Sequence, residues 1–507
     1  MHKKLLVVIS LFALLISCTA CTGRATQVIQ TPNGPEIRIY GDGVDATFEN
    51  GVLKLNKAEN SFISDISVDG ERVWAVNDSC KIGNYTPETE IRVTAETLSE
   101  KPEQEITSLL LSLYDTTQNA YSLTWHSEKQ DAFQVVFTEN PTGAQYTVDA
   151  FSDEASEDYV NRAVIYDLKA GTEYSYTIFN SADQAKYSAA FTTAEASPES
   201  VTFLHVSDTQ DEEYNGAVWE KLMADAQTHT EKIDLILHTG DMVQYGNQEA
   251  LWTQMLSHVR KYVSSIPIML VSGNHSYWSD YTDGTDDIEY NHTTVKLPKQ
   301  DTENGQYYSF DYGEIHFVVL SSGDSSKKGV GKEQLAWLQS DLASTEKSWI
   351  IVSIHNPLYS PGKYGSSEDR NGVALALRES LAPVLNQYDV DLVLQGHDHV
   401  FALTYPMDAN STPLQTKTVT ENGCTYFEAP TAPVYLMSGA AGNQNRGVVD
   451  EYNPAFFAKT KALDDNTAGY SVITVTKEKL TATYYEYDYA NNKPVSEYSW
   501  GIIKDAA

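Results

Sequence analysis

The rhythm of apolar residues changes near residue 200, and that change constrains the fold more than any other feature of the chain. Beyond it, short apolar runs alternate with helical segments. VTFLHVS is followed by a helix over 214–231, IDLILHT by a helix over 247–263, then PIMLVS and IHFVVLS. A helix over 331–344, WIIVSI, a helix over 372–387 and VDLVLQG complete the series. Short apolar runs bounded by polar turns suit strands buried on both faces, and strands alternating with helices imply α/β layering. PVYLMSG, YSVITVT and LTATYYEY then return to plain strand, as if closing one edge of a sheet. No solenoid-type period is present.

Upstream the pattern is β-rich. IRIY, GVLKLN, FISDISV and RVWAV predict several strands and little helix between about 36 and 100, with no visible chemistry. LLLSLY, YSLTWHS, AFQVVF, NRAVIYDL, EYSYTIF and YSAAFTT predict an antiparallel sandwich, with Trp125 in its core. Leu168 to Tyr174 resembles a fibronectin-III-like corner, in which a Tyr hydroxyl returns to the backbone. TAEASPES is a short linker. The expected architecture is therefore multidomain. Residues 1–21 form a signal, 22–100 a β-rich segment of unknown role, 101–197 the sandwich and 198–507 an α/β domain. A chain of 507 residues is long enough for about three such domains.

Lys3 and Lys4 precede an apolar stretch from Leu5 to Ile16, too short to span a bilayer and suited to an export signal. Leu15-Ile16-Ser17-Cys18 resembles a bacterial lipobox, with Cys21 the alternative lipidated residue. The expected location is the outer face of the bacterial cytoplasmic membrane or the cell surface. Two cysteines remain, Cys80 and Cys424; a disulfide and two separate thiols are equally open, and no metal motif contains them. Lys plus Arg number 35 against 70 Asp plus Glu, a net charge of −35. That balance argues against nucleic-acid binding. It also means that an anionic substrate needs a local positive field to enter.

Five short motifs stand where apolar runs give way to polar loops: Ser207-Asp208-Thr209-Gln210, Gly240-Asp241, Gly273-Asn274-His275, His355, and Gly396-His397-Asp398-His399. Strand ends are where open α/β sheets place ligands. Asp208, Asp241 and Asn274 follow one another at intervals of 33 residues, about one strand–helix–strand unit each. Carboxylates and imidazoles gathered at one sheet edge form a donor set for Mn, Fe, Zn or similar ions. Glycines before Asp241, Asn274 and His397 allow sharp turns and close approach.

In this order the motifs resemble the signature of the calcineurin-like metallophosphoesterases. The sandwich ahead of them, YYSFDYGEIHFVVLSS, HNPLYS and VYLMSGAAGN are similar to the purple-acid-phosphatase-like subgroup. The resemblance implies two sheets flanked by helices in four layers, and two divalent or trivalent metal ions of the Fe, Mn or Zn kind. Asp208, Asp241 and His399 would hold the first ion. Asp241 would bridge to a second, also held by Asn274, His355 and His397. His275 would act on the phosphate as general acid or transition-state stabiliser, a role suited to an imidazole with a reference pKa of about 6.5. The implied reaction is hydrolysis of a small phosphate ester by a metal-bound hydroxide.

The resemblance departs in three places. Gln244 stands where the subgroup has a tyrosine ligand, and Tyr245 is one step further. Gln210 replaces a histidine; its amide oxygen would either coordinate weakly or bond to a metal-bound water. Between Asn356 and Gly396 there is no histidine, and Lys363 and Arg370 are the available phosphate contacts. Two other readings therefore stand beside the acid phosphatase: a phosphodiesterase of nucleotides or envelope phosphodiesters, and a cell-surface binding protein with a decayed metal site. His205 and His238 are expected to pack beside the site, and His316 in the core. His126, His229, His258 and His292 are expected to stand alone. The acidic run 276–291 is expected to be a solvated loop, Tyr277 and Trp278 included.

Overall fold

The computed structural model describes residues 25–31, 34–58, 61–97, 105–114, 119–154, 158–211, 216–246, 248–277, 307–322, 330–365 and 372–504. The expected export signal, Arg370, Trp278, His292 and most of the acidic run lie outside the described residues, as does the side chain of Tyr277. No described helix is long and apolar enough to cross a membrane. Two compact units divide the chain at residue 100.

The first unit is β-structure. A five-stranded sheet runs in the order Gln27–Gln30, Glu36–Tyr40, Glu90–Thr97, Ser61–Val68, Glu71–Arg72. A second sheet holds Val44–Glu49, Val52–Lys57 and Ser79–Lys81. Alternation places Ile37, Ile39, Leu53, Leu55, Ile91 and Val93 in its core.

The second unit opens with two four-stranded sheets. One contains Phe151–Glu154, Tyr159–Ile165, Tyr121–Ser127 and Ile106–Leu113; the other contains Gln145–Asp149, Gln134–Glu139, Glu173–Phe179 and Ala185–Thr192. Trp125 is fully buried edge-to-face against Phe133. The Lys169 amide donates to the Tyr174 hydroxyl at 3.0 Å. This part rests on the helix Glu249–Val263: Arg260 donates to the Ile106 carbonyl at 3.0 Å, and Tyr176 Oη donates to the Ser264 carbonyl at 2.9 Å.

Past residue 200 two large sheets face one another. The eight-stranded sheet begins with the parallel strands Ile268–Leu270, Leu235–His238 and Ser200–Val206. The seven-stranded sheet has a parallel centre of Ile315–Leu320, Trp349–Ile354, Leu392–Gln395 and Val434–Ser438. Phe203 meets Phe317 edge-to-face, and Phe401 stacks on Tyr484, between the sheets. The helices Ala217–His229 and Glu249–Val263 pack on the first sheet through Val218, Trp219, Leu222, Met223, Trp252, Met255 and Leu256. Their i, i+3, i+4 spacing is what one buried helix face requires. Lys332–Ser344 and Val373–Gln387 cover the second sheet in the same way. Each strand is thus covered on both faces, which explains its continuous apolar run.

The late strands depart from expectation. Thr467–Thr476 is central rather than marginal: it pairs antiparallel with Ser200–Val206 and leads into Lys479–Asp488 and Lys493–Ile503. PVYLMSG joins the other sheet. Period-two alternation tells which face of a strand is buried, but not which neighbour it takes.

Candidate metal centre

Each motif residue lies just past the C-terminal end of a parallel strand. Asp208 follows Ser200–Val206, Asp241 follows Leu235–His238, Asn274 follows Ile268–Leu270, His355 follows Trp349–Ile354, and His397 follows Leu392–Gln395. The loops turn abruptly there. Asp208, Asp241, His397 and His399 all have φ between +53° and +76°. Non-glycine residues rarely occupy this left-handed region, and such strain concentrates at functional sites. Gly273 lies so close to Asp241 that a Cβ would stand 2.1 Å from Asp241 Oδ1. At Gly396 a Cβ would meet Ser207 Oγ at 2.1 Å. The two glycines are what lets the loops converge.

All six expected donors come together. His399 Nε2 is 3.2 Å from Asp208 Oδ1, and the His397 amide donates to Asp208 Oδ2 at 2.9 Å. His355 Nε2 is 3.0 Å from Asp241 Oδ2, 3.2 Å from Asn274 Oδ1 and 3.3 Å from His397 Nδ1. The far nitrogens are committed: His355 Nδ1 donates to the Thr239 carbonyl at 2.7 Å, and His399 Nδ1 donates to the Gln444 carbonyl. Each Nε2 therefore points inward, as in metal-ligating imidazoles. The set is rich in acceptors and short of protons. Spacings of 3.0–3.3 Å suit donors sharing an ion at bond lengths of about 2.0–2.2 Å. Gln210 Oε1 is buried without a hydrogen-bond partner, although its amide nitrogen lies 3.3 Å from His399 Nε2. The donors fit a metal centre, and the orphaned oxygen is what an ion or its water would satisfy.

The electrostatics agree. Burial opposes ionisation of Asp208 and Asp241, yet the adjoining imidazoles hold both carboxyls below the usual range. Burial also works against a charged His355, but Asp241 and Asp208 push it up to about 9. A pocket that attracts a proton so strongly attracts a cation for the same reason. Burial and His355 together drive His397 well below 6.5.

His275 stands beside this group. Its amide donates to Asp241 Oδ1 at 2.8 Å, its Nδ1 donates to the Gln244 carbonyl at 2.7 Å, and its Nε2 is 3.9 Å from Asp241 Oδ2. Gln244 and Gln210 occupy different stations. The Gln244 side chain accepts from Gln444 Nε2 at 2.7 Å, so one hydrogen-bonded chain runs from His275 through Gln244 and Gln444 to His399. The Tyr245 carbonyl accepts from the Gln248 amide at 3.1 Å. His205 bonds Ser438 and Thr239, and His238 bonds Thr209; burial lowers each imidazole to about 3 and keeps it neutral.

One cation escaped the sequence reading. Arg446 donates to the His397 carbonyl at 2.7 Å, and its guanidinium lies 5.4 Å from the Tyr364 ring centroid. Tyr364 in turn lies against His397, with centroids 4.4 Å apart. Lys363 covers the same ring at 5.0 Å. The signal for Arg446 was the glycine-rich run after PVYLMS, whose backbone approaches Asp208: Gly442 N donates to the Asp208 carbonyl at 3.0 Å.

Several other side chains depart from expectation. His316 does not simply fill core: Asp311 and Asp341 hold its two nitrogens at 2.8 and 2.9 Å. His126 lies beside Asp158 and Glu249. His229 and His258 pair with Asp225 and Glu220. The partners lie across a hairpin, remote in sequence or one helical turn away, where no motif marks them. Cys80 and Cys424 are separate buried thiols.

The family model for calcineurin-like phosphoesterases matches residues 201–401. Purple acid phosphatase 15 of Arabidopsis thaliana is 25% identical over 209 residues, covering 39% of this chain and 34% of its own. An acid phosphatase of Aspergillus ficuum is 27% identical over 315 residues, 47% of this chain and 50% of its own. The chain thus spans half the length or less of these curated relatives. A purple acid phosphatase from yellow lupin (Lupinus luteus) seeds shares the fold, with a TM-score of 0.65 at 16% identity over 89% of this chain and 81% of that one. Residues 201–401 are thus similar in sequence to the calcineurin-like phosphoesterases, and the chain shares its fold with a purple acid phosphatase.

Proposed function

We propose that the chain is a metal-dependent phosphoric ester hydrolase, acid-phosphatase-like, acting on small phosphate esters. The observation that carries this reading is the convergence of Asp208, Asp241, Asn274, His355, His397 and His399 on one buried pocket. Asp208, Asp241 and His399 would hold one ion of the Fe, Mn or Zn class; Asp241, Asn274, His355 and His397 would hold the other. When bound, such a pair clamps phosphoryl oxygens and activates water for in-line attack. The rest falls to the protein's own side chains. His275 keeps Nδ1–H on the Gln244 carbonyl, so Nε2 is the atom that passes a proton to the leaving alkoxide. Arg446 and Lys363, gathered on Tyr364 beside His397, offset the repulsion that a net charge of −35 imposes on an anionic ester.

Gln244 bonded to Gln444, where the subgroup has a tyrosinate, favours a colourless centre over a ferric purple one. It also keeps the phosphodiesterase reading beside the monoesterase. We extend the proposal to the architecture and the address. The sandwich would be fibronectin-III-like, the catalytic domain four-layered, and the protein exported and held at the membrane by acylation of Cys18 or Cys21. Turnover of p-nitrophenyl phosphate against bis-p-nitrophenyl phosphate, with Mn, Fe, Zn and Mg added singly, tests the reading. Metal-dependent turnover of either ester supports it and sorts monoester from diester. No turnover with any ion, together with less than about one bound ion per chain, favours a binding protein with a decayed site.

A further inference from the structure

A second group of histidine and carboxylates lies where the sandwich meets the α/β domain. His126, Asp158 and Glu249 each bring one ligand atom within 4.8 Å of the others. His126 is on the strand Tyr121–Ser127 and is fully buried. Asp158 stands just ahead of the strand Tyr159–Ile165 and is 6% exposed. Glu249 is the first residue of the helix Glu249–Val263, which follows the Asp241 loop. Two of the groups therefore belong to the sandwich and the third to the helix on which it rests.

One buried acceptor in this group is unsatisfied. His126 Nδ1 lies 2.5 Å from Asp158 Oδ2, which leaves the other oxygen of that carboxylate to another partner. Asp158 Oδ1 is buried with no hydrogen-bond partner. A buried carboxylate oxygen without a hydrogen bond is costly, and a second carboxylate nearby adds negative charge. One divalent cation held between the two carboxylates would coordinate the orphaned oxygen. One imidazole and two carboxylates, with water completing the shell, is a donor set of the zinc and manganese kind.

We propose that His126, Asp158 and Glu249 bind one divalent cation, which staples the β-sandwich to the start of the helix Glu249–Val263. The site is separate from the phosphoesterase centre and does not rest on its activity. The test compares four full-length chains: wild type, Glu249→Gln, Asp241→Asn and the double variant. Each is stripped with EDTA, loaded with Zn(II), desalted and assayed for bound ions and melting temperature. Glu249→Gln is expected to hold one ion fewer than wild type and to keep its hydrolytic rate. Asp241→Asn is expected to keep that ion and the double variant to lose it. Zn(II) should raise the melting temperature of Asp241→Asn but not of the double variant. Equal ion counts in Asp241→Asn and the double variant, with equal melting shifts, would overturn the proposal. His126→Gln supplies a second route to the same loss. A wild-type chain without phosphoesterase activity would leave the comparison intact.

Discussion

The two ends of the seven-stranded sheet each carry a buried histidine among carboxylates, and the two are wired in opposite ways. His316 lies near the start of Ile315–Leu320, opposite Ile350; His355 lies just past the end of the adjoining strand. At the first end, His316 gives both nitrogens to carboxylates, Nδ1 to Asp311 and Nε2 to Asp341. Both must be donors, so the ring is an imidazolium: burial opposes the charge, and the two carboxylates still raise it to about 9. At the second end, His355 spends its Nδ1–H on a backbone carbonyl and turns Nε2 toward Asp241, Asn274 and His397, where a metal ion would take the place of a proton. Nearby carboxylates therefore do not distinguish a structural histidine from a ligand. What differs is the reach of Nε2: at His316 it meets one more carboxylate, whereas at His355, with Nδ1 held by a carbonyl, it faces several converging donors.

Strain separates the two ends as well. The donor end gathers four non-glycine residues at positive φ, whereas His316 sits within a regular strand. Such backbone costs stability wherever it occurs, and it persists here because the converging loops fix it.

The largest effect should come from breaking the donor end. Asp241→Asn removes the carboxylate shared by both proposed ions, and phosphate-ester turnover should fall at least about a thousandfold. Its melting temperature should stay near that of wild type; a collapse in stability would make Asp241 a structural residue. Next is His275→Asn. Hydrolysis of an alkyl phosphate should drop about 10²- to 10³-fold, and that of p-nitrophenyl phosphate much less, because a good leaving group needs no proton. Equal losses on both esters would remove His275 from the general-acid role.

Gly273→Ala probes the convergence itself. The added Cβ would press on Asp241 Oδ1 and on its amide nitrogen, 2.1 and 2.5 Å away, and should cost about 1–3 kcal/mol along with activity. Gly331→Ala, with nothing within 4 Å of the added Cβ, serves as the neutral reference. The smallest effect belongs to the other end. The folded pKa of His316 is raised to about 9 from 6.5. Its contribution is therefore fully present below pH 6.5 and is lost as pH rises through 9. It is worth on the order of 2–3 kcal/mol. Urea unfolding of wild type and His316→Gln should differ most near pH 6 and converge by pH 10, with turnover near neutral pH little changed. A stability gap that widened with pH would contradict the imidazolium assignment.

The sequence exposed the donor end because its residues sit in short motifs at the ends of apolar runs, where strand periodicity stops. Asp208, Asp241, Asn274, His355, His397 and His399 were all legible for that reason. Arg446, Tyr364 and Gln444 were not, since they act through a stacked ring and backbone carbonyls that no motif encodes. His126 and Glu249 stood in unrelated elements, and only the packing of a sandwich strand near a helix start joins them. The helices and parallel strands were read closely, because both faces of each strand are covered. The place of Thr467–Thr476 was not, because antiparallel partners are chosen by tertiary packing.

The most direct measurement follows p-nitrophenyl phosphate or bis-p-nitrophenyl phosphate hydrolysis by EDTA-stripped wild-type chain as Mn(II) or Zn(II) is titrated back, beside Asp241→Asn. Activity should vanish on stripping and return as the centre fills with two ions, while Asp241→Asn stays silent throughout. Undiminished turnover after stripping, or an Asp241→Asn chain that recovers with metal as wild type does, would contradict a centre built on these strand-end side chains.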